Sequence, residues 1–479
     1  MRERDTHAET VGPEGEKAAL AALLKGMPGL DAVAADQCDA VAQRAIALID
    51  EQLTRQVNKI LHHPDFQRLE AAWRSLEDLV QYAHGKRQVR IRMLDIAWSE
   101  ITRDAIRAVE FDQSLLFQKI YSAEYDVPGG EPYGVIVADF SVSHRPFPGH
   151  PEDDVPTLER LAEIGAAAFA PIIVNAAPAL LGLNDFSTLG QPLRLQEIFR
   201  GPEYIPWNRL RAHPDSRFMA ITLPRVLLRP AHERRQSPRG GFIYNERASR
   251  RSPAHQLWGH ACFALAKVLI REFSEVGWFS HIRGLLRDHN TGGLVSDLVI
   301  DRYEEGIDPL VLKPVSEVVL GDDQEKVLSE LGFTPFCQTY DLPMGIFYST
   351  PSLHRSEQFD DSVATANARL ASLLQHVLCS ARFAHYIKVM VRDKIGAYVR
   401  ADQCERQLQN WINQFVASQE DADWAMQARY PLREAQVKVS ENAERPGTYW
   451  TTLHLRPHYQ ADRLVSELAL STELVPGGR

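Results

Sequence analysis

The chain has 479 residues, enough for two or three domains and a large core. It is 44% hydrophobic and 24% charged, an ordinary globular balance, and its net charge of −10 argues against general affinity for nucleic acid. Five scattered cysteines, odd in number and without a CxxC spacing, read as reduced thiols of a cytosolic protein.

The N-terminal MRERDTHAETVGPEGEK has no apolar signal core, so secretory export is not expected, and residues 1–30 read as a mobile leader. Residues 31–59 form one polar-rich helical stretch with a thin apolar seam that includes Ile49 and Leu53; such a seam usually docks on a partner or a neighbouring helix. In ILHHPDFQRLEAAWRSLEDLV (60–80), Pro64 suits the first helical position and Asp65 favours the positive end of the helix dipole. Phe66, Leu69, Trp73, Leu76 and Val80 recur at steps of three and four and make one apolar stripe. His62 and His63 are adjacent and lack HExxH or finger spacing, so a capped amphipathic helix is preferred to a metal site. QVRIRMLDI (88–96) alternates like a strand.

From about residue 134 the pattern mixes strands and helices. GVIVADF (134–140), PIIVNAA (171–177), RFMAITL (217–223), WFSHIRG (278–284), PVSEVVL (314–320) and GIFYS (345–349) read as strands. TLERLAEIGAAAFA (157–170), AHQLWGHACFALAKVLIREFSEVG (254–277) with a glycine stop, and DDQEKVLSELGF (322–333) read as helices. Residues 161–183 imitate a membrane span, but Pro171 and Pro178 divide them into a buried helix and a buried strand. Residues 229–251 carry seven Arg and two Glu, net +5, and read as a solvated surface loop. From 363 two long helices follow, then REAQVKVS, GTYWTTLHLRP and LVSELALSTEL as strands; in the last, Leu464, Leu468, Leu470 and Leu474 share one face.

Motifs for chemistry are sparse. There is no GxxxxGK[ST] loop and no GxSxG elbow, and PGGEPYG precedes its strand, the wrong order for a dinucleotide site. His376 and Cys379, at i and i+3, are too few for a metal and read as packing. Asp139 and His144 are the candidate acid–base pair, without a nucleophile or third group. These readings lean away from an enzyme, with no cofactor and no metal.

Several blocks resemble one family: ILHHPDFQRLEAAWR (60–74), FDQSLLFQKIYSAEYDVPGGEPYGVIVADFSVSH (111–144), LPRVLLR (223–229), LWGHACFALA (257–266), SARFAHYIKVMVRDKIGAY (380–398), ARYPLREAQVKV (428–439) and LRPHYQ (455–460). In this order they are similar to the large subunit of the type VI secretion contractile sheath, the TssC/VipB family, from about residue 35 to the end. The resemblance implies a mixed α/β, phage-tail-sheath-like core with an N-terminal helical arm and a C-terminal β-strand arm. The expected division is 1–59 leader and arm, 60–362 sheath core bearing the loop 229–251, 363–435 its helical part, and 436–479 strands that complete a sheet between subunits. It implies a bacterial cytoplasmic structural protein that pairs with a small sheath subunit and polymerises helically with other copies of itself. The tube would surround inner-tube hexamers on a baseplate, contract, and be dismantled by an AAA+ ATPase acting mainly through the small subunit, with no nucleic acid and no membrane insertion. Ile49, Leu53, Phe66, Trp73, Trp450, Leu453, Leu455, Leu464, Leu468 and Leu470 are the expected assembly contacts. The basic loop and the looser match at 281–306 depart from the family pattern and put partner choice in question, not the fold. A non-polymerising adaptor and a hydrolase built on Asp139 and His144 are the alternatives.

Overall fold

The computed structural model describes residues 38–86, 88–127, 129–232, 241–242, 244, 246, 256–285, 291–300, 315–339, 344–393, 401–417, 424–441, 449–458 and 468–474. The leader, most of the basic loop and Leu464 lie outside the described residues. The chain divides into two units, Met1–Glu70 with Ala231–Leu257, and Ala71–Pro230 with Trp258–Arg479.

In the first unit, helix α1 spans Cys38–Leu61 and stops where the next helix, α2 (Pro64–Ala83), begins at its proline. The break explains the paired histidines. His63 stands just before α2, where its Nδ1 accepts from the Asp65 backbone N–H at 3.3 Å and its carbonyl from the Gln67 N–H at 2.9 Å. His62 lies 2.8 Å from the buried carboxylate of Glu246, which also accepts the His232 backbone N–H at 2.9 Å. Tyr244 donates to Asn58 of α1 at 2.5 Å. The described part of the basic loop is thus tied to the end of α1 by side-chain hydrogen bonds.

The second unit is built on a four-stranded parallel sheet, β1 (Ile136–Val142), β2 (Ile172–Ala176), β3 (Met219–Leu223) and β4 (Phe333–Pro335), side by side in chain order. Between β1 and β2 runs helix α4 (Asp154–Ala168), after the short α3 (Trp98–Arg107); between β3 and β4 run α5 (Ala261–Val276) and α6 (Asp322–Glu330). Because side chains alternate along a strand, β2 and β3 feed two cores. Ile172, Val174, Met219 and Ile221 join α4 and α6 residues such as Leu158 and Leu328, whereas Ile173 and Ala220 join Leu265 and Val268 of α5. The span-like 161–183 segment resolves as the end of α4, then β2, both buried. No helix among the described residues is long and apolar enough to cross a membrane.

A third core joins helices α7 (Leu374–Asp393) and α8 (Ala401–Ile412) to an antiparallel sheet of β5 (Leu432–Glu441), β6 (Tyr449–Pro457) and β7 (Leu468–Leu474). Phe383, Ile387, Leu408 and Ile412 meet Val437, Val439, Leu453 and Leu455 there. The outer edge of β5 is closed by α8: Gln409 accepts from the Val437 N–H at 2.8 Å and donates to the Ala435 carbonyl at 2.9 Å, and Glu405 accepts from the Val439 N–H at 2.9 Å. Side chains of a helix here take the place of a neighbouring strand.

Three expected strands differ. WFSHIRG is irregular: Trp278, Phe279 and Ile282 are buried there without a ladder. PVSEVVL contributes one isolated bridge, Val226 to Ser316. Residues 88–96 carry no ladder among the described residues, although their side chains alternate.

Candidate functional surfaces

Helix α2 buries Ser75 and Leu79 and turns its apolar stripe outward. Leu69 is 56% exposed, Trp73 58% and Val80 48%, while Phe66 is half-buried. Leaving a tryptophan and two aliphatic side chains in one uncovered row forgoes several kcal/mol of burial, at about 1.5–3 kcal/mol for each side chain. On α1, Ile46, Ile49, Leu53 and Ile60 are likewise exposed. The inner side of α2 is fixed by Asp78, which pairs with the buried Lys267 of α5 at 2.5 Å. Arg74, Asp78, Gln81, His260, Lys267 and Leu298 border a cavity of about 230 Å³ beside that pair.

At the other end of the chain Trp450 is exposed, whereas Leu453 and Leu455 face the third core of their own chain and are fully buried. They pair across the ladder with Leu470 and Leu468 of β7. Thus Ile49, Leu53, Trp73 and Trp450 are surface groups, and Leu453 and Leu455 hold the sheet together from inside.

The expected Asp139–His144 pair is not formed. His144 is buried against the Tyr204 ring, centroids 4.0 Å apart, and its nitrogens have no hydrogen-bond partner among the described residues. Burial, assisted by Arg145, lowers its pKa. Asp139 instead accepts from Nδ1 of His260 at 2.6 Å, and Nε2 of His260 is left to accept from the Ser141 hydroxyl at 2.7 Å. This is an Asp–His–Ser chain, the arrangement a nucleophilic hydrolase uses. Its setting is structural. β1 slips register between Val137 and Ser141, and His260 caps the start of α5, so the chain ties the irregular strand to the helix. Asn175 completes the tie, accepting from Thr222 at 2.6 Å and from the Cys262 N–H at 3.2 Å, and donating weakly to the Ala138 and Phe140 carbonyls. His260 borders the cavity described above, but Ser141 and Asp139 do not. Among the described residues no group of three or more His, Cys, Asp or Glu is placed to hold a metal ion.

Two helix histidines of α7 are buried and neutral. His376 and His385 are each pushed down by burial to about 4; His385 also lies 2.8 Å from the Ala168 carbonyl. His376 and Cys379 are both buried in packing positions.

Residues 43–354 match the VipB family (EvpB/VC_A0108, tail sheath N-terminal domain), and residues 363–474 match VipB_2 (EvpB/VC_A0108, tail sheath gpW/gp25-like domain). Among curated proteins, the type VI secretion system sheath protein TssC1 of Pseudomonas aeruginosa (strain PAO1) is 36% identical over 436 residues, covering 90% of this chain and 85% of that protein. The chain belongs to the TssC/VipB family of type VI secretion sheath large subunits. Among solved structures, a chain of the anti-feeding prophage (AFP) baseplate aligns at TM-score 0.38 and 10% identity, covering 80% of this chain and 82% of that chain. The family matches describe sheath proteins.

The α2 stripe and the strand β1 were legible in the sequence, but the register slip in β1 and the role of His260 were not. His260 stands some 120 residues from Asp139, and only the parallel sheet brings the start of α5 to the end of β1. The expected helix over 254–277 would hold His260 within it, whereas α5 begins at Ala261 and Leu257–Gly259 is a strand, which leaves His260 at the start of the helix.

Proposed function

We propose that this chain is the large building block of a contractile sheath in the bacterial cytoplasm. It pairs with a small sheath subunit, and the pairs polymerise helically around inner-tube hexamers on a baseplate. Contraction repacks subunit interfaces and expels the tube; an AAA+ ATPase then dismantles the sheath, mainly through the small subunit. The chain itself does no catalysis and binds no cofactor. The observation that carries the reading is the uncovered Leu69–Trp73–Val80 row on α2 in a chain of this family. Such a row needs a partner, and Ile49, Leu53 and Phe66 extend the candidate contact toward the N-terminal arm. The C-terminal strands, with Trp450, Leu464, Leu468 and Leu470, are the candidate tether between copies, since main-chain ladders hold while rigid bodies rotate. An interface that does not close a ring gives the helix a sheath requires.

A second reading has one observation in its favour. β7 pairs with β6 of its own chain from Tyr449–Leu474 to Leu455–Leu468, so an exchange of β7 itself between copies requires that pairing to open. An adaptor that never polymerises would keep it. Co-expression with the small subunit expected beside it, followed by negative-stain electron microscopy, separates the two. Long hollow striated tubules support the sheath. Discrete soluble complexes favour the adaptor, and no co-purification refutes both.

A further inference from the structure

Lys388 of α7 is a cation set among rings. Its Nζ stands 4.3 Å from the Tyr121 ring centroid, 4.8 Å from that of Tyr125 and 5.6 Å from that of Phe169. The walls of this cage are fixed by their own elements. Tyr121 belongs to a five-residue π turn, Gln118–Ser122, inserted between the α turns Leu115–Phe117 and Ala123–Tyr125. The Tyr125 hydroxyl donates to the Ala168 carbonyl at 2.9 Å, and Nε2 of His385, one turn before Lys388, donates to the same carbonyl at 2.8 Å. Phe169 closes α4 with φ 50°, a left-handed conformation that is costly for a bulky residue. Two of the three walls therefore rest on uncommon backbone, which concentrates at functional positions.

The cage supplies no counter-charge. Among the described residues no carboxylate lies within ion-pair distance of Lys388, and the exposed Asp126 acts on it only at longer range. Lys267, by contrast, is buried with Asp78 at 2.5 Å. The ring faces return part of the lost hydration by cation–π attraction, but burial prevails and Lys388 is pushed down to about 8. Its amine is thus a free base at neutral pH far more often than one in water, and desolvation among apolar groups is how a lysine becomes a nucleophile. The side chain remains part-exposed.

We propose that Lys388 is a modification site, a caged amine that takes a short neutral acyl group from an acyl phosphate. Nothing in this site depends on the sheath reading above. The free amine attacks the acyl carbon, and the C–N bond forms as the C–O bond to phosphate breaks. Phosphate leaves with the electron pair, and the surplus proton on nitrogen passes to water. The class of acyl group follows from the walls. Aromatic faces are negative, so a carbamate or a succinyl amide would set a carboxylate against them, whereas an acetyl amide removes the unbalanced charge and packs on the rings.

The test is acetyl phosphate added to the folded full-length chain, with acetylation of each lysine followed by mass spectrometry from about pH 6 to about pH 10. The exposed Lys59, Lys119 and Lys326 serve as references. His385, held at about 4, and Tyr121, raised to about 12, keep their neutral forms across that range, so the profile reports Lys388 itself. Lys388 should react roughly tenfold faster than the references at pH 7, and its rate should level off above about pH 8 while theirs keeps climbing. In concentrated urea, where the rings no longer surround it, the advantage and the plateau should both vanish. A folded-state rate for Lys388 that climbs with the references overturns the proposal, as does a Lys388 left unmodified beside modified references. An advantage that survives in urea overturns it too, because the cage would then have no part in the reactivity.

Discussion

Helices α5 and α2 carry comparable amphipathic patterns and meet opposite fates. α5 lies under the parallel sheet, buries residues on every turn from Ala261 to Glu272, and ends at Gly277, whose φ of 85° gives the left-handed stop. α2 buries only Ser75 and Leu79, and its larger apolar groups face out. The difference teaches that apolar periodicity states what a helix needs, not where the need is met. α5 finds its cover within the chain, and α2 leaves Leu69, Trp73 and Val80 exposed.

The contrast can be broken first by acid. His376 and His385 belong to the self-sufficient region, and both are held near 4 in the folded chain against an ordinary value of 6.5. Their folded pKa is depressed, so their contribution is fully present above pH 6.5 and is lost as pH falls through about 4. The loss approaches roughly 3 kcal/mol for each histidine at about 1.4 kcal/mol per unit. Urea unfolding at pH 7 and pH 4.5 should show this fall, and His376→Gln with His385→Gln should flatten it.

Leu158→Ala in α4 removes a fully buried side chain from the first core and should cost about 2–5 kcal/mol, read as a lowered denaturant midpoint. His260→Ala unties β1 from α5 and should cost roughly 1–3 kcal/mol. If the Asp139–His260–Ser141 chain serves only to tie β1 to α5, incubation of the wild type with activated esters should show no burst. At the small end, Trp73→Ala should change the stability of the dilute isolated chain by no more than about 0.5 kcal/mol, since the ring is largely in water.

What the sequence made legible was local. Pro64 marked the start of α2, Gly277 the end of α5, and the β5 and β6 alternations appear as ladders. β3 ends at Leu223, the last residue of its expected span. The failures are apolar runs that form no ladder among the described residues: in 278–284 Trp278, Phe279 and Ile282 are buried without strand pairing, and in 88–96 Ile91, Met93 and Leu94 stay exposed. The Asp139–His260 contact and the closure of β5 by Gln409 and Glu405 depend on pairs far apart in sequence, and neither residue type announces such a role.

The central claim is that α2 keeps its apolar row for a partner rather than for its own fold. It is tested most directly by co-expressing Trp73→Ala with the small sheath subunit and counting tubules by electron microscopy, beside an unfolding curve of the same variant. The account predicts an unchanged unfolding midpoint and loss of tubules. Tubules at wild-type abundance would contradict it.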